Sequence, residues 1–324
     1  IQNIKKLVKE GRLDKRLLGF DLSKLSNELK IRRDKDFKYL GIQILFDRYF
    51  IKQDGKIMET PQAFWMRVAM GLAINEKDKD EKAIEFYNLF SQFLYTPSTP
   101  TLFNSGTTHS QLSSCYLNTF DDSIDGIFDG AWQEARKSKY AGGLGLDVTP
   151  FRSTGSHIQG TNGISSGLVP WLKIYNDLLV AVNQGGKRPG AGCAYLEPWH
   201  LDFEDFLNLR RNTGDDRLRC HDMNTASWVP DEFMRRVQNE DAWYFFDPRD
   251  TEDENGKTLH DCFGVEFDNR YNKLCDDAEQ GLIKNYRIIP AKELWKKMLK
   301  VLFETSHPWN TFKDPCNIRY TNQH

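Results

Sequence analysis

The apolar positions change period along this chain, and the change divides it in two. Over the first stretch, to about residue 95, they recur at helical spacing: Ile4, Leu7, Leu13, Leu17 and Leu18 in one run, and Phe64, Val68, Leu72 and Ile74 in another. One interruption stands out. Asp54-Gly55 lies between Tyr49-Phe50-Ile51 and Ile57-Met58, a dipeptide that favours a tight reversal, so a small hairpin is expected there. Pro97, Pro100 and Asn104-Ser105-Gly106 then end the helical regime.

From about residue 96 short apolar runs alternate with helices. Residues 112–120 read as a strand. Residues 123–140 read as a helix with Ile124, Ile127, Phe128, Ala131 and Ala135 on one face, closed by Gly142-Gly143. Residues 144–148 read as the next strand, and after a glycine-rich stretch at 160–167 a helix is predicted over 168–182 through Leu168, Leu172, Tyr175 and Leu179. Residues 247–288 read as polar and irregular, and 292–305 as a last amphipathic helix. Such alternation predicts an α/β domain, giving a division into a helical part, 1–95, and an α/β part, 96–324.

The bulk numbers narrow the function classes. With 44 basic against 46 acidic residues the formal charge is -2, so no electrostatic case for a nucleic-acid partner arises. No apolar run approaches the roughly 20 residues that cross a bilayer, and residues 1–6 do not resemble a secretion signal. The six cysteines, at 115, 193, 220, 262, 275 and 316, form no C-x-x-C pair. That spacing suits a reducing, cytoplasmic setting in which a thiol matters through its reactivity.

Four segments are candidates for chemistry. Leu112-Ser113-Ser114-Cys115-Tyr116-Leu117 places a thiol among hydroxyls on a strand, which reads as a redox thiol and proton donor or as an ordinary core cysteine. Asn183-Gln184-Gly185-Gly186-Lys187-Arg188 combines glycines with two cations, suiting phosphates or a base edge, or a basic surface turn; it is not a P-loop. Gly160-Thr161-Asn162-Gly163-Ile164-Ser165-Ser166-Gly167 reads as a ligand loop before a helix or as a connector. Trp199-His200-Leu201-Asp202-Phe203-Glu204 has His and carboxylates at alternate positions, but strand-end polarity and an acidic first helical turn explain them better than a metal, and no metal site is expected.

Taken in order, several stretches resemble the large, catalytic subunit of ribonucleotide reductase, class I-type. They are Pro97-Ser98-Thr99-Pro100-Thr101-Leu102-Phe103-Asn104-Ser105-Gly106, Ser113-Ser114-Cys115, Asp121-Asp122-Ser123-Ile124, Lys139-Tyr140-Ala141-Gly142-Gly143 and Asn183-Gln184-Gly185-Gly186-Lys187-Arg188. Trp199-His200-Leu201-Asp202, Asn212-Thr213-Gly214-Asp215-Asp216-Arg217 and Phe312-Lys313-Asp314 complete the set. The resemblance implies a helical N-terminal domain followed by the first half of a ten-stranded α/β barrel. It implies that Cys115 is one of two redox cysteines, protonating the ribose 2′-hydroxyl as it leaves. Thr101, Ser114 and Gly143 match substrate contacts. Asp122, Ser123, Ile124 and Arg152 match the site where a deoxynucleoside triphosphate, or ATP, selects the substrate, and Gln159 stands there where some members carry a basic residue. Gln184 and Arg188 match the loop that relays the selection.

The same resemblance implies no cofactor held by this chain, with a radical supplied by a metal-containing small subunit; adenosylcobalamin is the alternative source, and a non-catalytic deoxynucleotide-binding module the alternative class. Implied partners are ribonucleoside diphosphates, a second copy of the chain packed through helices 123–140 and 168–182 with Trp132 and Trp171, and thioredoxin or glutaredoxin as reductant. The family's ATP-cone has no counterpart here, and its radical-bearing cysteine loop is expected after His324. The chain is thus expected to be an N-terminal portion, inactive without a complementary C-terminal half.

Overall fold

A computed structural model describes residues 2–140, 142–158, 160–182 and 190–321. The chain divides between Ser114 and Cys115 into two compact units, some twenty residues beyond the change of regime read near residue 95. The reason is local: the helix Thr99–Asn104, inside that interval, packs on the first unit's own helices.

The first unit carries α1 (Gln2–Lys9), α2 (Leu22–Asn27), α3 (Tyr39–Ile44), α4 (Pro61–Ala73), α5 (Lys79–Ser91) and α6 (Thr99–Asn104). The hairpin expected at Asp54-Gly55 is present as β1 (Lys52–Gln53) and β2 (Lys56–Ile57), with both turn residues at positive φ. Its core is built around α4, where Phe64, Val68, Ala69 and Met70 are fully buried. Arg67 is buried among them. Its guanidinium meets Glu59 at 2.6 Å and donates to the carbonyls of Ser105 at 2.6 Å and Leu102 at 3.2 Å, so one buried cation ties α4 to the segment around α6.

The second unit contains β3 (Cys115–Thr119), α7 (Ile124–Lys139), β4 (Gly143–Asp147), β5 (Thr154–Ile158), β6 (Gly163–Ser166), α8 (Leu168–Ala181), β7 (Gly192–Leu196) and α9 (Phe203–Leu207). It continues with β8 (Asn224–Val229), α10 (Asp231–Asn239), β9 (Ala242–Phe246), α11 (Val265–Glu279), β10 (Tyr286–Pro290), α12 (Ala291–Thr305), β11 (Trp309–Phe312) and α13 (Lys313–Arg319). Five of these strands form one sheet in the order β11-β8-β7-β4-β3, every pair parallel. The expected class is therefore the one observed, a helical unit followed by an α/β unit with half a barrel's complement of parallel strands.

Because strand side chains alternate, the register sorts the sheet into two faces. Leu144, Leu146, Ala194, Leu196 and Val229 point into a core shared with Ile127 and Ala131 of α7 and with Leu168, Leu172, Tyr175 and Leu179 of α8. The opposite face holds Cys115, Leu117 and Thr119, all exposed, Leu117 at 77%. Helices α7 and α8 lie on the first of these faces.

One expected stretch differs. Residues 247–288 are not irregular: they hold the 15-residue α11, and β9 pairs antiparallel with β10. Its buried face is Phe267, Tyr271, Leu274, Cys275 and Ala278, in helical register, with Tyr271 stacked on Trp243. The acidic residues on its outer face hide that period from a reading of the sequence. The glycine-rich stretch at 160–167 also has structure, since β6 pairs antiparallel with β5.

The end of the sheet is tied by a charged cluster. His260 sits between two carboxylates, its Nε2 2.7 Å from Asp147 at the end of β4 and its Nδ1 2.7 Å from Glu197 just past β7. Lys313, first residue of α13, donates to the same Glu197 oxygen and to the carbonyl of His260, both at 2.7 Å. Trp199 Nε1 takes the other oxygen at 2.7 Å. Burial alone would lower the imidazole's pKa, but Asp147 and Glu197 outweigh it and hold His260 up at about 10.

Two predictions follow from these ties. Glu59→Ala strands a buried guanidinium and should cost about 3–5 kcal/mol, whereas the double variant Glu59→Leu, Arg67→Leu should cost less; urea titration decides, and equal losses would refute the account. For His260, the folded state keeps its proton up to about 10 and the unfolded state releases it near 6.5. The stabilisation is whole below the lower value and disappears as pH rises through the upper one. Melting curves from pH 6 to pH 10 should fall more steeply for wild type than for His260→Gln; parallel slopes would show that the imidazole is not held charged.

Candidate functional site

The thiols separate by environment. Cys193, Cys220, Cys262 and Cys275 are buried, and burial raises all four, Cys193 to about 12 and Cys220 and Cys275 to about 11. At neutral pH they therefore stay as thiols, not the nucleophilic thiolates. Cys115 and Cys316 are exposed. Cys115 is the first residue of β3, the sheet's edge strand, and pairs in register with Gly143 of β4. The core-cysteine reading of Cys115 does not hold. On the same face Tyr195 of β7 is raised to about 12, first by burial and then by the neighbouring thiols of Cys193, Cys115 and Cys316.

The segment that leads into β3 is braced within the first unit. Thr101 donates its hydroxyl to the carbonyl of Leu112 at 3.1 Å, Asn104 donates to the carbonyl of Gln111 at 2.7 Å, and Gln111 donates to that of Ser113 at 2.7 Å. Ser114 follows, half-buried, at the end of this braced stretch.

The second group of sequence candidates lines one cavity. Asp122, Ser123, Ile124 and Arg152 lie around a volume of about 1010 Å³, together with the β5–β6 hairpin, the start of α8 and the turn after β9. Ser123 caps α7, accepting from the Gly126 amide at 3.0 Å, so the helix N-terminus opens at this wall. Arg152 holds Asp122 twice, through Nε to the carboxylate at 2.6 Å and through Nη2 to the carbonyl at 3.2 Å. Asp122 follows β3 and Arg152 follows β4, so the cavity sits beyond the carboxyl ends of parallel strands, where open α/β sheets bind ligands. Gln159, Gln184 and Arg188 lie outside the described residues.

Two buried carboxylates shape the cavity. Asp202 accepts the amide of Thr154 at 3.0 Å and that of Leu168 at 2.9 Å, tying the start of β5 to the start of α8. A Cβ on Gly167, at φ +77°, would run into Asp202 and Thr154. His200 supports Asp202 with Nδ1, which accepts the Asp202 amide at 3.0 Å, while Nε2 meets the Phe151 carbonyl at 2.7 Å. The His and Asp of Trp199-His200-Leu201-Asp202 are thus occupied in holding backbone. Asp247 accepts the amides of Ser153 at 2.8 Å and Arg249 at 2.9 Å.

Arg249 is the residue that sequence reasoning missed. It stands in a short turn after β9, far along the chain, yet its Nε reaches Asp122 at 3.3 Å and it lines the cavity. Nothing in its neighbourhood, Asp247-Pro248-Arg249-Asp250, signals this; only the topology brings it there.

Comparison with known proteins identifies the family. Residues 113–324 match the family model for the ribonucleotide reductase barrel domain, and residues 35–110 that for the ribonucleotide reductase all-alpha domain. The chain is 54% identical over 99% of its length to the ribonucleoside-diphosphate reductase subunit alpha of Chlamydia muridarum, covering 31% of that protein. It is 44% identical to the corresponding subunit alpha of Helicobacter pylori, with 94% of this chain and 38% of the relative covered, and 43% identical to the large subunit of Arabidopsis thaliana, with 93% and 35% covered. The chain therefore spans about a third of the length of these relatives. With its barrel-domain match running from the edge strand to the last residue, the chain belongs to the ribonucleotide reductase large-subunit family.

Proposed function

We propose that this chain is the N-terminal portion of a ribonucleoside-diphosphate reductase large subunit, which reduces ribonucleotides to deoxyribonucleotides under deoxynucleotide control. The observation that carries this reading is Cys115: an exposed thiol opening the edge strand of a parallel sheet, where four other cysteines are buried and the exposed Cys316 lies on α13. The names of the relatives supply the diphosphate substrate class, and "subunit alpha" and "large subunit" imply a smaller partner, which we take to be the radical source.

In this reading the ribonucleotide lies against Cys115 and the backbone of Gly143, its partner in register; Thr101 and Ser114 are substrate contacts by the resemblance alone. Hydroxide is a poor leaving group, so the Cys115 thiol gives its proton to the 2′-hydroxyl, the C2′–O bond breaks and water departs. A C2′–H bond forms. The two electrons come from Cys115 and a second thiol, which end as a disulfide, and thioredoxin or glutaredoxin restores the pair. The radical drawn from the small subunit opens the ribose to this loss. Unbridged cysteines throughout the described residues suit the reducing cytoplasm that such a cycle needs.

The cavity at Asp122, Ser123, Ile124 and Arg152 takes the effector, a deoxynucleoside triphosphate or ATP, in this reading, and Gln159, Gln184 and Arg188 are assigned to effector binding and relay by the resemblance alone. The enzyme is a homodimer, supported by a stripe on α7: Ile124, Phe128 and Trp132 stand one helical turn apart, 67%, 51% and 60% exposed. Phe128 meets Trp171 of α8 edge to face.

In the full-length enzyme Cys115→Ser should lower multi-turnover reduction by at least about 100-fold and leave effector affinity unchanged; turnover at the wild-type rate would end the assignment. Sedimentation velocity at micromolar concentration should show a dimer for wild type and monomer for Phe128→Glu, Trp132→Glu. A monomeric wild type with effector present would remove the dimer.

A further inference from the structure

The polar groups of the cavity fall into two classes. Some are fully committed to partners within the fold. Asp247 receives the amides of Ser153 and Arg249 as well as the hydroxyls of Ser153 and Ser156, and Asp202 is spent on Thr154 and Leu168. Others have capacity left. Arg152 uses Nε and Nη2 on Asp122, and Arg249 uses only Nε, on the same carboxylate. Among the described residues Arg249's side chain has no other partner, so both terminal nitrogens of its guanidinium, with four N–H donors, remain to be used.

The backbone beneath this side chain is firm. The Arg249 amide is fixed by Asp247, Thr251 closes the turn onto the Pro248 carbonyl at 2.8 Å, and Arg270 of α11 donates to the Thr251 carbonyl at 2.7 Å. The side chain itself is 54% exposed and tethered at one atom by 3.3 Å. A fixed base carrying a loosely held guanidinium is suited to reach for an anion. The formal charges on the cavity wall are Asp122, Asp247 and Asp250 against Arg152 and Arg249. A polyanion entering here needs both cations, and a planar guanidinium that grips phosphate through two parallel bonds serves better than a point charge.

We propose that Arg249 is a phosphate-binding residue of this cavity: it leaves Asp122 for the phosphate chain of a bound deoxynucleoside triphosphate, opposite Arg152. The assignment rests on the effector reading above and adds to it a residue that reaches the cavity from the turn after β9.

The test is binding of dTTP, dTMP and thymidine to the full chain by calorimetry at fixed salt, for wild type, Arg249→Gln and Arg249→Lys. The Gln variant should lose about tenfold in dTTP affinity, of the size expected for one charge-assisted contact, with a much smaller loss for dTMP and none for thymidine. The Lys variant should recover part of the loss. Equal weakening toward all three ligands would show that Arg249 only positions Asp122, and unchanged dTTP affinity would show that it does neither; either result overturns the proposal while the effector site stands. A wild type that ignores dTTP would instead overturn the effector reading itself. Thermal melting of each variant confirms that the turn, tied by Asp247, Thr251 and Arg270, is intact.

Discussion

The parallel register of β3 with β4 is the constraint on which the rest of the second unit depends. Parallel strands cannot be joined by a tight turn; each return needs a crossover, and the crossovers here put α7 and α8 on one face and collect every strand-to-helix loop at the same end. Two consequences follow without further assumption. The thiol at the start of β3 and the residues just after it occupy opposite ends of one strand. And the loops after β3 and β4 are neighbours in space although some thirty residues apart in sequence, so Arg152 can hold Asp122.

That arrangement leaves many backbone amides at the strand ends with no ladder partner, and buried amides must be satisfied. The chain answers with carboxylates. Asp202 takes the amides that open β5 and α8; Asp247 takes those around β5 and the turn after β9; Asp314 takes the amide of Asp231 at 2.5 Å and that of Gly264. Each is an acid in a stretch that marks the family or adjoins the cavity, and each acts on architecture. Acidic residues near a site invite a metal reading, but a carboxylate already accepting two N–H groups is poorly placed to give its lone pairs to a cation.

How much of this could be read from the sequence depended on range. Where the signal is local, the reading was sufficient: Ser123 before the α7 repeat, the Asp54-Gly55 turn, the period of α8. Asp122, Ser123, Ile124 and Arg152, singled out by resemblance, line one cavity. Where acceptors or partners come from afar, the sequence was silent. Arg249 has no local mark because its role depends on β9 delivering it beside a loop 127 residues earlier. The α11 helix was hidden because its polar face outnumbers its buried one, and the β5–β6 hairpin because glycines at positive φ, Gly155 and Gly167, read as loop.

The same strand also bears on how an effector would speak to a substrate. From Cys115 to Thr119 is four steps of about 3.3 Å, so roughly 13 Å of strand separates the thiol from the loop that begins the cavity. A coupling between two ligands is typically about 1–3 kcal/mol. Asp122 receives three hydrogen bonds from cations, two from Arg152 and one from Arg249, and rearranging one such bond is worth about as much. No larger machine is needed to supply the energy. The connector between the two ends is β3: among the described residues its only ladder is with β4, so a shift at its carboxyl end would be opposed by a single ladder and passed toward Cys115 along covalent backbone.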